Sequence, residues 1–260
     1  MCLKFSIITI THNCSASIVR CLDSVASQSY KNYEHLVVDG GSTDGTLELL
    51  KNQLWRLASL VSEPDNGIYD ALNKGIDQVS GDIIGILHAD DIFNGKEVIS
   101  SVANIFRSHP YVDVVIGNIE YFSPKYPYIK IRKVNSMNFR PWMLRFGFMP
   151  AHTATFMRRS LVKRVGYYRT SLKSAGDFDF FVRLFLNEKA KPYYLNKTLV
   201  YMSVGGMSTS GWESYKRTTG EVLSCLRENN IYSNWIFVLA RLPIKFLKKI
   251  TFQLGQKNKH

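Results

Sequence analysis

Residues 81–93 read GDIIGILHADDIF, and the fold turns on how this stretch is interpreted. The apolar run Ile83-Ile84-Gly85-Ile86-Leu87 is short, continuous and rich in β-branched residues, and the turn pair Gly81-Asp82 opens it. Such a run predicts a strand buried on both faces. His88, Asp90 and Asp91 then fall at the strand's carboxyl end, the edge where open α/β sheets bind ligands. Two adjacent carboxylates raise each other's pKa unless a cation or strong donors keep both ionised. A divalent metal meets that need. The other reading is a strand-to-helix turn in which one Asp caps the next helix and its neighbour is solvated.

Outward from this stretch, the first 120 residues repeat a strand–helix rhythm. Strands are expected at 5–11, 34–39, 57–62, 83–88 and 112–117, and helices near 15–29, 44–54, 67–79 and 95–108. That order predicts an α/β fold with a mostly parallel sheet covered by helices on both faces. Asn13 or Ser15 is placed to cap the first helix, and Thr43 or Asp44 the second. Beyond Tyr121 the rhythm changes. YFSPKYPYIKIRKV reads as an irregular segment and then an extended one, ATFMRRSLVKRVG as a strand entering a short helix, and GDFDFFVRLFLNE as a helix. Two further helices are expected at 213–229 and 231–250. With no repeat and no low-complexity linker, one compact domain over 1–210 followed by a C-terminal helical appendage at 211–260 is the simplest organisation.

Composition narrows the classes. A chain of 260 residues with 45% hydrophobic content can bury a full core, which excludes disordered and fibrous proteins. Cys2, Cys14, Cys21 and Cys225 show neither CxxC nor Cys/His spacing, so no zinc or disulfide framework is expected and a reduced cytosol fits. The chain enters FSIITIT almost at once, without a secretory pattern. The longest apolar stretch, WIFVLARLPI, is broken by Arg241 and Pro243, so no membrane span is expected.

The net charge of +12 is unevenly placed: residues 1–120 hold 8 Lys/Arg against 15 Asp/Glu, and residues 121–260 hold 25 against 6. Such a basic half attracts phosphates, acidic polymers or anionic lipid. No zinc finger, RNP-type motif or recognition helix accompanies it, so sequence-specific nucleic-acid binding is not expected. No phosphate loop of the GxxxxGK[ST] or GxGxxG kind is present. Asp39, in VVDGGSTDGT, reads either as an acceptor for a nucleobase or ribose or as the Asx turn that closes its strand. Gly40-Gly41 beside it lets backbone approach a ligand.

SIITITHN, VVDGGSTDGT, SEPDNGIYDALNKGI, HADD, GDFDFFVRL and VGGMS occur in the order and approximate spacing of the family 2 glycosyltransferases. The chain resembles the GT-A, Rossmann-like enzymes of that family that build bacterial capsule, O-antigen, lipopolysaccharide and exopolysaccharide, over residues 4–210. The resemblance implies a nucleotide-sugar half at about 1–120 and an acceptor half at about 121–210. It implies that Thr9 and Asp39 receive the nucleobase, with Asp39 on the ring NH of a uracil, and that Asp65 is a second nucleotide contact. Asp90 then lies near the ribose and Asp91 on a Mn²⁺ or Mg²⁺ ion that bridges the diphosphate. Hard cations suit those oxygens and stabilise charge on a departing nucleoside diphosphate. Asp177 is implied as general base for an inverting transfer from a nucleotide sugar, a UDP-sugar first, to a saccharide or lipid-linked saccharide acceptor.

His152 and the Gly205-Gly206-Met207-Ser208 loop resemble acceptor-side or diphosphate-side elements. Two positions depart from the pattern. His88 stands where many relatives carry an acid, and hydrogen bonding to the nucleotide, metal ligation and packing are all open to it. Leu72 stands where many carry an Arg, and Lys74 is the nearest replacement charge. Asp179 lies two residues past Asp177, too close for both to share one helical face, and Arg183 is spaced to pair with one of them.

The tail, RLPIKFLKKITFQLGQKNKH, has six basic and no acidic residues. Leu242, Phe246, Leu247, Ile250 and Leu254 lie near helical spacing, which fits either a helix on the inner face of the plasma membrane or one docked on the catalytic domain. Two rival classes share the scaffold chemistry. One is a noncatalytic nucleotide-sugar or polysaccharide-binding module, and the other is a metal-dependent nucleotidyltransferase.

Overall fold

The computed structural model describes residues 2–122, 130–203 and 211–240. The VGGMS loop with Ser208 and the tail at 241–260 lie outside the described residues. The strands are β1 (Phe5–Thr11), β2 (Tyr33–Asp39), β3 (Ser59–Ser62), β4 (Ile83–His88), β5 (Ile92–Phe93), β6 (Val114–Phe122), β7 (Lys130–Val134), β8 (Thr155–Arg158) and β9 (Pro192–Ser203). The helices are α1 (Ile18–Ala26), α2 (Thr46–Lys51), α3 (Ile68–Gln78), α4 (Val98–Ser108), α5 (Arg159–Val165), α6 (Gly176–Val182), α7 (Gly211–Glu228) and α8 (Trp235–Leu239).

One sheet runs β3-β2-β1-β4-β8-β6-β9-β5, with β7 beside β6. The first four strands of that order are parallel. β8 runs antiparallel between β4 and β6, and β9 is parallel to β6. Six strands therefore point one way, while β5, β7 and β8 oppose them.

Side-chain alternation fills both faces of this sheet. Ile8 and Ile10 of β1, Ile84 and Ile86 of β4, and Val114 and Ile116 of β6 join a core that includes residues of α3, α5, α6 and α7. Phe5 and Ile7, Ile83 and Leu87, and Val115 and Ile119 face the other way, into the core under α1 and α4. Gly85 has a steric reason: a Cβ there would come within 2.6 Å of the Phe156 ring on β8.

Several local expectations are corrected. The N-cap of α1 is Ser17, whose side chain makes no capping bond, and that of α2 is Gly45. Asp44 nonetheless accepts from the N–H of Thr46, the first residue of α2, at 3.0 Å, and the polar residues expected as caps also stitch two loops together. Thr43 N–H donates to Asn13 Oδ1 at 2.9 Å, and Ser15 N–H to Asp44 Oδ2 at 3.0 Å. The helix expected from Gly176 is α-helical only to Val182, and a π-type turn follows at Arg183–Asn187. Ile231–Asn234 is not helical, and Asn234 caps α8 by accepting from Phe237 N–H at 3.0 Å.

The C-terminal helices share the main core. Val222, Cys225, Leu226 and Val238 are buried with α6. Glu221 accepts from the backbone N–H groups of Lys173, Ser174 and Ala175, which secures the entry to α6. No described helix is long and apolar enough to cross a membrane.

Candidate active site

The carboxyl ends of β1, β2 and β4 lie side by side, because Thr11 is in register with Asp39 and Ile10 with His88. The loops after β1 and β2 close this edge together through Asn13 N–H to Ser42 Oγ at 2.8 Å and Cys14 N–H to Thr46 Oγ1 at 2.8 Å. Asp39 is buried at the end of β2 and accepts from Ser42 N–H at 3.1 Å and Ser62 Oγ at 2.7 Å. Asp65 lies against Gly40, where a Cβ would strike its carboxylate. Both carboxylates therefore flank one glycine.

Thr9 is not brought to this edge. It shares a face of β1 with Phe5 and Ile7, is fully buried, and its hydroxyl hydrogen-bonds with His35 Nε2 at 2.9 Å. Thr11, two residues on and at the strand's end, has a buried hydroxyl with no hydrogen-bond partner among the described residues. Strand parity gave both threonines the same face, and only the strand's end point separates them. Lys74 is likewise committed elsewhere: its ammonium meets Glu63 at 2.8 Å and Asp70 at 3.5 Å, while Leu72 is core.

At the end of β4, a ring nitrogen of His88 and one oxygen each of Asp90 and Asp91 lie within 4.8 Å of one another. Asp91 is 1% exposed, and its Oδ1 accepts from Ser203 N–H at 3.2 Å. That donor belongs to β9, which pairs with β5 directly after the acids. Among the described residues, Asp91 Oδ2 and His88 Nε2 are buried without partners. Burial, reinforced by the Asp90 charge, pushes the Asp91 carboxyl well above its ordinary range. Burial pushes the His88 imidazole down. A divalent cation fits this set: it would satisfy the orphaned oxygen and compensate two carboxylates that otherwise oppose each other.

A chain of ring contacts leads from this cluster to the start of α6. The His88 and His152 rings stand edge to face at 6.2 Å. His152 is buried, with Nε2 at 2.7 Å from the Tyr168 hydroxyl, and burial holds its imidazole down at about 3. Tyr168 stacks on Tyr69 at 6.1 Å and on Phe180 at 4.2 Å. Asn73 fixes Tyr168 by bonding both its N–H and its carbonyl. Tyr69 in turn packs on Gly176 so closely that a Cβ there would come within 2.7 Å of its ring.

Asp177 stands in the first turn of α6, half-buried, and accepts from Phe178 N–H at 2.8 Å. Burial raises its carboxyl to about 6, against the opposing pull of hydrogen bonds from the Phe178 backbone and the Tyr69 side chain. A carboxylate poised there can take a proton near neutral pH. Asp179 faces away from solvent entirely, and Arg183, Arg169 and Asn229 hold it. Thr11, Tyr69 and Tyr168 were not singled out in the sequence. Tyr69 does sit inside the quoted SEPDNGIYDALNKGI segment, but nothing local links it to Asp177.

The acids at the end of β4 and the raised carboxyl in the first turn of α6 thus stand on separate elements of one α/β fold. The Glycosyl transferase family 2 description matches residues 6–166, and the chain belongs to that family. A PGL/p-HBAD biosynthesis glycosyltransferase of Mycobacterium bovis is 30% identical over 210 residues, covering 79% of each chain. The S. aureus TarS 1–349 structure in complex with UDP-GlcNAc has TM-score 0.67 and 24% identity, and the match covers 86% of this chain and 66% of that one. The mannosyltransferase PcManGT from Pyrobaculum calidifontis, in complex with GDP-Man and Mn²⁺, has TM-score 0.64 and 20% identity, covering 87% of this chain and 64% of that one. The chain thus spans about two thirds of the length of these solved relatives, and they share its GT-A fold.

Proposed function

We propose that the chain is a metal-dependent, inverting glycosyltransferase. Its donor is a nucleotide sugar, a UDP-sugar in the first instance, and its acceptor a lipid-linked saccharide of bacterial surface polysaccharide synthesis. The observation that carries this reading is the contrast between two carboxyl sites. Asp91 is buried with one oxygen unsatisfied beside Asp90, and Asp177 is raised to about 6 in the first turn of α6. Pairs of carboxyl groups held in such different environments serve different roles.

Asp39 and Asp65 flank Gly40 as the nucleobase end, with Thr11 taking the place expected of Thr9. Asp91 would hold Mn²⁺ or Mg²⁺, with Asp90, placed at the ribose by the resemblance, close enough to share it, and the ion would supply positive charge to the leaving group. Asp177 accepts the acceptor hydroxyl's proton while that oxygen attacks the anomeric carbon on the side opposite the diphosphate, which inverts the configuration. His152 acts from behind, holding Tyr168 and thereby the Tyr69 wall. Ser208 is assigned to the diphosphate or acceptor side by the family resemblance alone.

Attachment to the inner face of the membrane is supported by Trp235, Ile236 and Leu239, which are exposed on α8 immediately before the basic tail. Apolar side chains beside basic ones suit an anionic lipid surface. The test of function is incubation of purified protein with a panel of nucleotide sugars, Mn²⁺ and saccharide acceptors. Nucleoside diphosphate release with an inverted anomeric product is expected. Pyrophosphate release from a nucleoside triphosphate, or donor binding without turnover or donor hydrolysis, would overturn the reading.

A further inference from the structure

His88 ends β4, and its backbone carbonyl accepts from Asp91 N–H at 3.0 Å, closing the turn that brings the two aspartates back beside the imidazole. A ring nitrogen, an Asp90 oxygen and an Asp91 oxygen are thereby gathered within 4.8 Å. Two atoms here, His88 Nε2 and Asp91 Oδ2, are buried with no hydrogen-bond partner among the described residues, so they do not satisfy each other. The adjoining histidine does not serve His88 either, because His152 Nε2 is committed to the Tyr168 hydroxyl at 2.7 Å. Leaving polar atoms buried and unpaired is costly, and such atoms persist where a ligand completes them.

Resting on the metal reading above, we propose that His88 is itself a ligand of the cation, giving the site one imidazole and two carboxylates. The site then selects Mn²⁺ or Co²⁺ ahead of Mg²⁺. The physical reason lies in the donor set. Oxygen-only sites suit Mg²⁺, whereas an imidazole nitrogen adds affinity for first-row transition ions, least for Mn²⁺ and more for Co²⁺. Mg²⁺ also parts reluctantly with water and prefers carboxylate and phosphate oxygens. The remaining coordination positions are left to the donor's diphosphate and water. His88 thus tunes which ion the enzyme carries, and the two aspartates supply the charge.

The test reads the metal directly. Mn²⁺ is titrated into the metal-free protein with and without UDP, and the bound ion is probed by pulsed EPR for coupling to ¹⁴N. The unmodified protein is expected to show imidazole nitrogen coupling. His88→Ala should lose that coupling and bind Mn²⁺ more weakly by at least about 10-fold, the scale of disturbing metal–histidine sites. His88→Asp should reduce the preference for Mn²⁺ over Mg²⁺ in competition titrations. Bound Mn²⁺ without nitrogen coupling, or coupling that persists in His88→Ala, would overturn the His88 assignment while leaving the metal reading standing. No Mn²⁺ binding even with UDP present would overturn both. The coupling in the unmodified protein decides the matter even if a variant folds poorly.

Discussion

Across one turn of α6, Arg183 Nε donates to Asp179 Oδ2 at 2.8 Å, and this pair distinguishes the two carboxylates of GDFDFFVRL. Asp179 is fully buried and shared among Arg183, Arg169 and Asn229, so it fastens α6 to α7. Asp177 is left partly exposed, with its carboxylate accepting from Phe178 N–H and hydrogen-bonded by the Tyr69 side chain. Asp177→Asn should therefore keep UDP affinity and lower turnover by roughly 10²- to 10⁴-fold. Asp179→Asn should instead destabilise the fold, by about 3 kcal/mol if its guanidinium partners are left uncompensated. Single-turnover transfer and urea unfolding on both variants check this. Near wild-type transfer by Asp177→Asn would place the base elsewhere.

The rising limb of the turnover–pH profile should have its midpoint near the raised Asp177 value of about 6, because the base must be ionised to work. The Tyr69 hydrogen bond favours the ionised form, so Tyr69→Phe should move that midpoint upward. The linkage to stability has the opposite sense. A carboxyl raised in the folded state contributes stability below its unfolded pKa, and that contribution fades as pH rises through about 6. An unshifted kinetic limb in Tyr69→Phe would remove Tyr69 from the account.

Asp91→Asn should separate stability from function. Burial and the Asp90 charge oppose ionisation of Asp91, so the carboxamide should leave the metal-free protein at least as stable while preserving an acceptor for Ser203 N–H. The same change should abolish the extra stabilisation that Mn²⁺ with UDP gives by mass action. Calorimetry with unchanged Mn²⁺-dependent UDP affinity would contradict the assignment.

Gly40→Ala tests the nucleobase end. The new methyl would collide with the Asp65 carboxylate, a side-chain end that can swing away. Unfolding should therefore change little, while UDP binding weakens. Equal UDP affinity would show that Asp65 is not needed where it lies.

Truncation after Leu239 should reduce sedimentation with anionic vesicles and flatten its salt dependence. Six basic residues are lost, and each contributes on the order of 1 kcal/mol near an anionic surface. Equal vesicle binding by both forms would favour a tail docked on the catalytic domain.

The sequence alone determined the βα rhythm of the first half, since continuous apolar runs ending in polar turns are local signals. It also located the acids at the end of β4 and the carboxylates at the start of α6, because strand ends and helix starts carry their own chemistry. It did not reveal β9, whose pairing with β6 shifts register twice around Asn118 and so breaks the alternation a strand displays. That strand supplies the Ser203 N–H to Asp91, which no local pattern encodes. That Thr11 and not Thr9 ends β1 likewise needed the strand's end point, because both share one parity. Selection of Asp177 over Asp179 on physical grounds needed Arg169 and Asn229, distant in sequence and brought together only by packing. Local periodicity fixes which residues stand on an element. Burial, unpaired atoms and shifted proton affinities depend on what other elements place against them, and only the tertiary structure decides that.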